Sequence, residues 1–211
     1  REYLALFHQI TSPIYSLDEI IQGLPEEFEI KTPLLYFEDY LKHGYYPFSK
    51  ERGFDEKLRQ IINLTLENDI PSFANLPAST GRRLKKLLMV ISKSVPFKPN
   101  MSKLAELIDA NRNMMPDYFQ YIEDAGMITQ LRDNTGGVRG LGKIEKVYLD
   151  NANLIYSLAE GEPNIGNIRE TFFINQTRVR NVVTSSDISD FQIDGRTFEI
   201  GGKSKGMKQI K

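Results

Sequence analysis

The stretch LAELIDANRNMMPDYFQYIEDAGMITQLRD, Leu104 to Asp133, decides the architecture of this chain. Leu104, Leu107 and Ile108 recur at helical spacing and mark a short first helix. Pro116 suits the opening of a second, which presents Phe119 and Ile122 together with Tyr118 and Tyr121. Gly126 ends it. MITQLRD and KIEKVYL (Lys143 to Leu149) then read as strands on either side of the glycine-rich NTGGVRGLG. Helix, turn, helix and β-hairpin is the outline of a winged helix, which we assign to residues 98–160.

Upstream, residues 1–97 read as a helical region. Residues 1–30 mix short apolar runs with turn residues. Thr32 and Pro33 open a helix with Leu34, Phe37 and Leu41 on one face, and Gly44 is a stop signal. HGYYP, His43 to Pro47, reads as a turn packing Tyr45 and Tyr46 on the core. A second helix carries Phe54, Leu58, Ile61, Ile62 and Thr65. A third, from Ser79 to Lys93, turns Leu84, Leu87, Leu88 and Ile91 inward and Arg82, Arg83, Lys85 and Lys86 outward. Pro96 and Pro99 break the chain. Downstream, residues 151–165 read as a connection. A helix over about 167–179 follows, with short strands near Val182, Phe191 and Phe198. The fold class is therefore α+β.

Composition narrows the function classes. With 211 residues and a formal net charge of -1, global charge does not announce a polyanionic partner. The absence of cysteine excludes a disulfide scaffold and thiolate zinc sites, and fits a reducing cytosol, so we expect a cytoplasmic protein. His8 and His43 are far apart in sequence, which argues against a histidine-rich metal site. No apolar run is long enough to span a bilayer, so no membrane partner is expected. GGVRGLG lies between strands and lacks a Lys-Ser/Thr pair, so it is not a phosphate loop; nor is TGRRLKK a Walker A motif. We expect no ATP site in this chain.

Two charged patterns carry chemistry. The second helix of the winged unit, Met114 to Gly126, contains Asp117, Glu123 and Asp124 but no Lys or Arg, a poor surface for a polyanion. The wing is better: Arg132, Arg139, Lys143 and Lys146 are the candidate nucleic-acid contacts, offset by Asp133 and Glu145. The basic face of the Ser79–Lys93 helix could track phosphates, or be a solvated face paired with acids such as Glu38 or Asp39. The second pattern is acidic. Glu170, Asp190 and Glu199, followed by Lys203, are the candidate catalytic set. Asp190 and Glu199 are the candidate Mg²⁺ ligands, Glu170 their support and Lys203 the charge stabiliser. The plainer reading places Asp190 and Asp194 in turns, pairs Glu170 with Arg169 or Arg178, and leaves Glu199 as an edge-strand charge.

Several segments in order carry a resemblance: REYL, PLLYFEDYLKHGYYP, ENDIP, LAELIDANRNMMPDYFQYIEDAGMI, KIEKVYLDNANLIYSL, GNIRETFFINQ, SDFQIDG and TFEIGGKSKGMKQI. Together they resemble the C-terminal region of prokaryotic AAA-type ATPases, where an ATPase is followed by a helical region, a winged helix and a PD-(D/E)xK nuclease-like domain of unknown function. The resemblance covers nearly the whole chain. It implies that 1–97 follows an absent ATPase domain and that 161–211 is a truncated nuclease-like α/β sheet domain. Glu170, Asp190 and Glu199 match the family's acidic positions. The lysine does not: the family places it two residues after the glutamate, where this chain has Gly201. Lys203 lies about 13 Å along from Glu199 if the strand runs on at ~3.3 Å per residue, and a bulge at Gly201-Gly202 would bring it back. The resemblance thus implies an accessory region of a cytosolic ATPase that binds a protein or nucleic acid, with a degenerate nuclease-like fold. Mg²⁺-dependent nuclease activity and DNA binding through the wing are the alternatives.

Overall fold

A computed structural model describes residues 1–23, 30–135 and 142–201. The chain forms two compact units, residues 1–54 and 55–211. Both expected boundaries, at 97/98 and 160/161, fall inside the second unit. Arg139 and Lys203 lie outside the described residues.

The first unit holds three short helices: α1 (Glu2–His8), α2 (Leu17–Gln22) and α3 (Pro33–Asp39). A reciprocal capping box opens α2, with the Ser16 hydroxyl accepting from the Glu19 backbone and the Glu19 carboxylate accepting from the Ser16 backbone. α3 runs on into a wide π-type turn, Tyr40–Gly44. Gly44 is not the left-handed stop expected there. A Cβ on it would lie 2.4 Å from the Tyr40 ring and 2.7 Å from the Tyr3 ring, so the residue is there for close approach. Leu34 is exposed rather than inward, and Tyr45 stays partly exposed.

The second unit begins inside α4 (Phe54–Leu64), whose first residue closes the first unit, and continues with a π-type turn Thr65–Asp69 and α5 (Ile70–Phe73). Phe54, Leu58, Ile62, Leu66 and Ile70 are buried, while Ile61 is exposed. Their four-residue spacing drifts about 40° per step on an ideal helix, and the wider turn corrects the drift. Pro71 gives the cause: it has no N–H for the carbonyl one turn back. α6 (Ala78–Ser92) crosses this turn through Gly81, where a Cβ would stand 2.7 Å from the Glu67 Cα.

α7 (Met101–Leu107), a 3₁₀ turn at Arg112–Met114 and α8 (Met115–Asp124) give the expected helix–turn–helix. Asn100 and Asn111 cap the first two. The hairpin is β1 (Ile128–Arg132) with β2 (Ile144–Leu149), antiparallel, with Thr129 opposite Tyr148 and Leu131 opposite Lys146. Phe97, between the two prolines, adds a bridge to Val147 on the other edge of β2. One correction follows: residues 151–165 are not a plain connection. Asn151 caps a buried helix, α9 (Ala152–Leu158). The signal was the apolar run in NANLIYSL after a capping Asn. α10 (Ile165–Thr177) then leads to a meander of β3 (Val183–Ser185), β4 (Phe191–Ile193) and β5 (Arg196–Phe198). Asp194 and Gly195 both have positive φ, as a two-residue hairpin turn requires. The α+β class is confirmed.

Candidate functional site: a lysine between two carboxylates

The hairpin divides its side chains by strand alternation. Ile128, Val147 and Leu149 are buried on one face. The other face carries Thr129, Leu131, Lys146 and Tyr148. Leu131 and Tyr148 share a core with Ile174 of α10 and Phe191 of β4, with Phe173, Val183 and Phe198 packed around it. The wing and the C-terminal elements are therefore built around common apolar contacts. Glu170 sits one helical turn before Ile174, and Asp190 directly precedes Phe191. Burying Ile174 and Phe191 thus carries both acids to the rim of the hairpin face.

At that rim the Lys146 ammonium lies 3.1 Å from Asp190 Oδ1 and 3.4 Å from Glu170 Oε2. The Tyr148 hydroxyl donates to the same Glu170 oxygen at 2.9 Å. Asp190 Oδ2 accepts from the Ile200 backbone N–H at 2.9 Å. The carboxylate side chains are only 14% and 12% exposed, so their charges need these partners. Burial pushes the Tyr148 phenol far above its ordinary range, and the Glu170 charge, its hydrogen bond and Asp190 add to the effect. The hydroxyl is a fixed neutral donor at any physiological pH. Lys146 and Asp190 open onto a polar groove of about 700 Å³ whose walls include Lys98, Glu145, Ser186 and Asp187.

Of the expected catalytic set, Glu170 and Asp190 come together. Glu199 is exposed, one residue beyond β5. The lysine that joins the two acids is Lys146, expected on the wing as a nucleic-acid contact. Tyr148 was missed altogether. Its signal was alternation in IEKVYL, which puts residues 146 and 148 on one face. Among the described residues no three His or acidic side chains converge to hold a metal ion. Mg²⁺ seeks near-octahedral oxygen ligation at about 2.1 Å; an ammonium between two carboxylates is a poor fit to that demand.

The other described wing cations, Arg132 and Lys143, also have partners within the chain. Arg132 donates to the Gly142 carbonyl and the Gln130 amide oxygen. Lys143 lies 3.6 Å from Glu145, which also accepts from Lys98 at 2.5 Å. Asp133 staples the hairpin base by accepting from Thr135 and from the Lys143 backbone; the Thr135 hydroxyl is the main cause that holds its carboxyl below the usual range. Glu123 of α8 accepts twice from Gln130. On α6, Arg83 donates to the Asp109 carbonyl and Lys85 to Glu67, an acid not among those expected.

The first unit holds a second polar cluster, which the sequence did not suggest. Tyr3 donates to Asp39 Oδ2, Lys50 to the same oxygen at 2.5 Å, and His43 Nδ1 to Oδ1 at 3.2 Å. His8 Nε2 lies 2.8 Å from the Tyr3 hydroxyl; since that hydroxyl already donates to Asp39, the imidazole is the donor of the pair. Both histidines of the chain thus meet around one carboxylate. Burial works against the Asp39 anion, but the hydrogen bonds from Lys50, Tyr3 and His43 outweigh it and hold the carboxyl at about 2.

Fold and site together define a chain of helix–turn–helix and β-wing joined to a helix and meander through an internally paired lysine. It belongs to the family described as Domain of unknown function (DUF8612), whose match runs over residues 34–165, more than half of the sequence. Lys146 and Tyr148 lie inside that match; Glu170 and Asp190 lie beyond it. No curated protein matches, and no solved structure does. Among the described residues no helix is long and apolar enough to cross a membrane.

Proposed function

We propose that this chain is a non-catalytic accessory region of a cytosolic AAA-type ATPase that binds a protein partner, on a nuclease-like scaffold that does not cleave nucleic acid. The upstream ATPase domain of the same protein would supply ATP binding. The observation that carries the reading is Lys146, whose ammonium is held by Glu170 and Asp190. A lysine that steadies a phosphodiester transition state must face the substrate. Here two of the three N–H donors of Lys146 are taken by nearly buried carboxylates, which favours a role in the fold. Arg132, which donates to the Gly142 carbonyl and the Gln130 amide, is committed to the hairpin, and this weakens the wing as a nucleic-acid surface.

Plasmid nicking in Mg²⁺ or Mn²⁺ tests it, comparing the chain with Asp190→Ala. No nicking by either is expected. Nicking by the parent that disappears in Asp190→Ala would overturn the reading and restore the Mg²⁺-dependent nuclease, for which the convergence of Glu170 and Asp190 is the supporting feature. Duplex DNA binding that falls with salt and weakens in Lys143→Ala would instead favour the wing as a DNA contact.

A further inference from the structure

The second unit contains a cavity of about 370 Å³ that shares no lining residue with the groove beside Lys146. Its walls come from α4 and the π-type turn after it, from α6, and from the end of α9 with the two residues that follow it. Ile62, Leu66, Leu88 and Met89 are its apolar lining residues, and Arg59, Lys85 and Glu160 its charged ones. Volume and composition are those of a small-molecule pocket: a concave apolar wall with a few convergent polar groups.

Charge decides what kind of molecule fits. Three charged side chains line the cavity: Arg59, Lys85 and Glu160. Lys85 is paired with Glu67 at 3.1 Å, and Glu160 with Lys93 at 2.7 Å. Neither Glu67 nor Lys93 lines the cavity, so both pairs are satisfied from outside it. Arg59 differs. The bond it makes among the described residues runs from Nε to the neutral Ser157 carbonyl at 3.0 Å. That bond uses one of five guanidinium donors and leaves the positive charge uncompensated.

We propose that this cavity binds a small amphipathic anion, its hydrocarbon body against Ile62, Leu66, Leu88 and Met89 and its carboxylate on the Arg59 guanidinium. A planar guanidinium suits a carboxylate because it can present two parallel N–H donors. The site is independent of the lysine–carboxylate cluster, and a nicking assay does not bear on it.

Calorimetric titration with octanoate, octylamine and octanol tests the assignment on the unaltered chain. Octanoate is expected to bind saturably and at least tenfold more tightly than octylamine, with octanol between them. Arg59→Met should weaken octanoate at least tenfold while leaving octanol within about twofold. Met89→Trp, which fills the cavity from its rim and leaves the Arg59–Ser157 contact in place, should abolish binding of both octanoate and octanol. Octanoate that binds no better than octylamine overturns the proposal, as does octanoate affinity that survives both substitutions.

Discussion

Each unit of this molecule contains one tyrosine–carboxylate–lysine cluster, and the two are built the opposite way round. In the first unit a carboxylate is the hub: Asp39 accepts from Tyr3, Lys50 and His43. In the second a cation is the hub: Lys146 is shared by Glu170 and Asp190, with Tyr148 donating to one of them. The surroundings differ as much as the polarity. Asp39 is about a third exposed and sits among short helices whose apolar residues Leu6, Ile20, Ile21, Leu34 and Leu35 are exposed. Glu170 and Asp190 are nearly covered and stand beside the buried Tyr148, Ile174 and Phe191. The hubs themselves are almost equally exposed, at 35% for Asp39 and 34% for Lys146. The partners differ: Lys50 and His43 are 43% and 42% exposed, whereas Glu170 and Asp190 are nearly covered, and that difference should appear in mutational cost.

The largest effect is expected from Lys146→Met. The apolar stem is kept and the charge removed, which leaves two carboxylates facing each other. Breaking a fully buried pair costs roughly 3–5 kcal/mol. Lys146 is about a third exposed, so about 2–3 kcal/mol is the fair figure. Urea unfolding at pH 7 measures it. Adding Glu170→Gln to Lys146→Met should recover part of the loss, because it removes the like-charge contact. A loss below about 0.5 kcal/mol would place the cluster with ordinary surface ion pairs and erase the contrast with Asp39.

Tyr148→Phe probes the same hub more gently. It deletes one hydroxyl that donates to a carboxylate and leaves the ring in the core. Hydrogen bonds to charged groups contribute about 1.5–3 kcal/mol, and Lys146 remains to hold Glu170, so about 1.5 kcal/mol is expected by the same measurement. The ring contact with Phe191, centroids 5.8 Å apart, is unchanged by the substitution. A neutral result would mean that the hydroxyl is replaced by water, as expected for the outer hub but not for this one.

Much of the fold was legible in the sequence, the contrast between the hubs was not, and the reasons are physical. Helical periodicity found α6 and α8, and period-two alternation found both hairpin strands and those near Phe191 and Phe198. Glu170 and Asp190 both belong to the acidic set the sequence suggests, although there Asp190 is paired with Glu199. Their lysine was not identified, because Lys146 lies 24 and 44 residues away, and only packing of α10 and β4 on the hairpin face brings the three together. Reading Lys146 as a wing cation assumed that face looked to solvent. The Asp39 cluster was invisible for a similar reason. Tyr3, His8, His43 and Lys50 share no spacing rule, and two isolated histidines are weak evidence of anything until the chain folds. The α9 miss was different in kind. Gly161 and Pro163 signal a connection, and the capped apolar run before them spans only about two helical turns.

The smallest effect, and the sharpest test of the outer hub, is the pH dependence of Asp39. Its carboxyl is held at about 2 in the folded chain, against an ordinary value near 3.9. A depressed folded value contributes stability that is present in full above about pH 4 and is lost as pH falls through 2. Asp39→Asn removes that dependence. Because Asp39 is about a third exposed, solvent screens the pairing, and the substitution should cost under about 1 kcal/mol at pH 7. The signature to look for is therefore shape rather than size. Between pH 4 and pH 2 the stability of the parent should fall more steeply than that of Asp39→Asn. The environment of residues 1–54 reports it best, followed through the Tyr3 and His8 resonances. Parallel curves for the two proteins would show that Lys50, His43 and Tyr3 do not hold the carboxylate in solution. The first unit would then have no hub to set against Lys146.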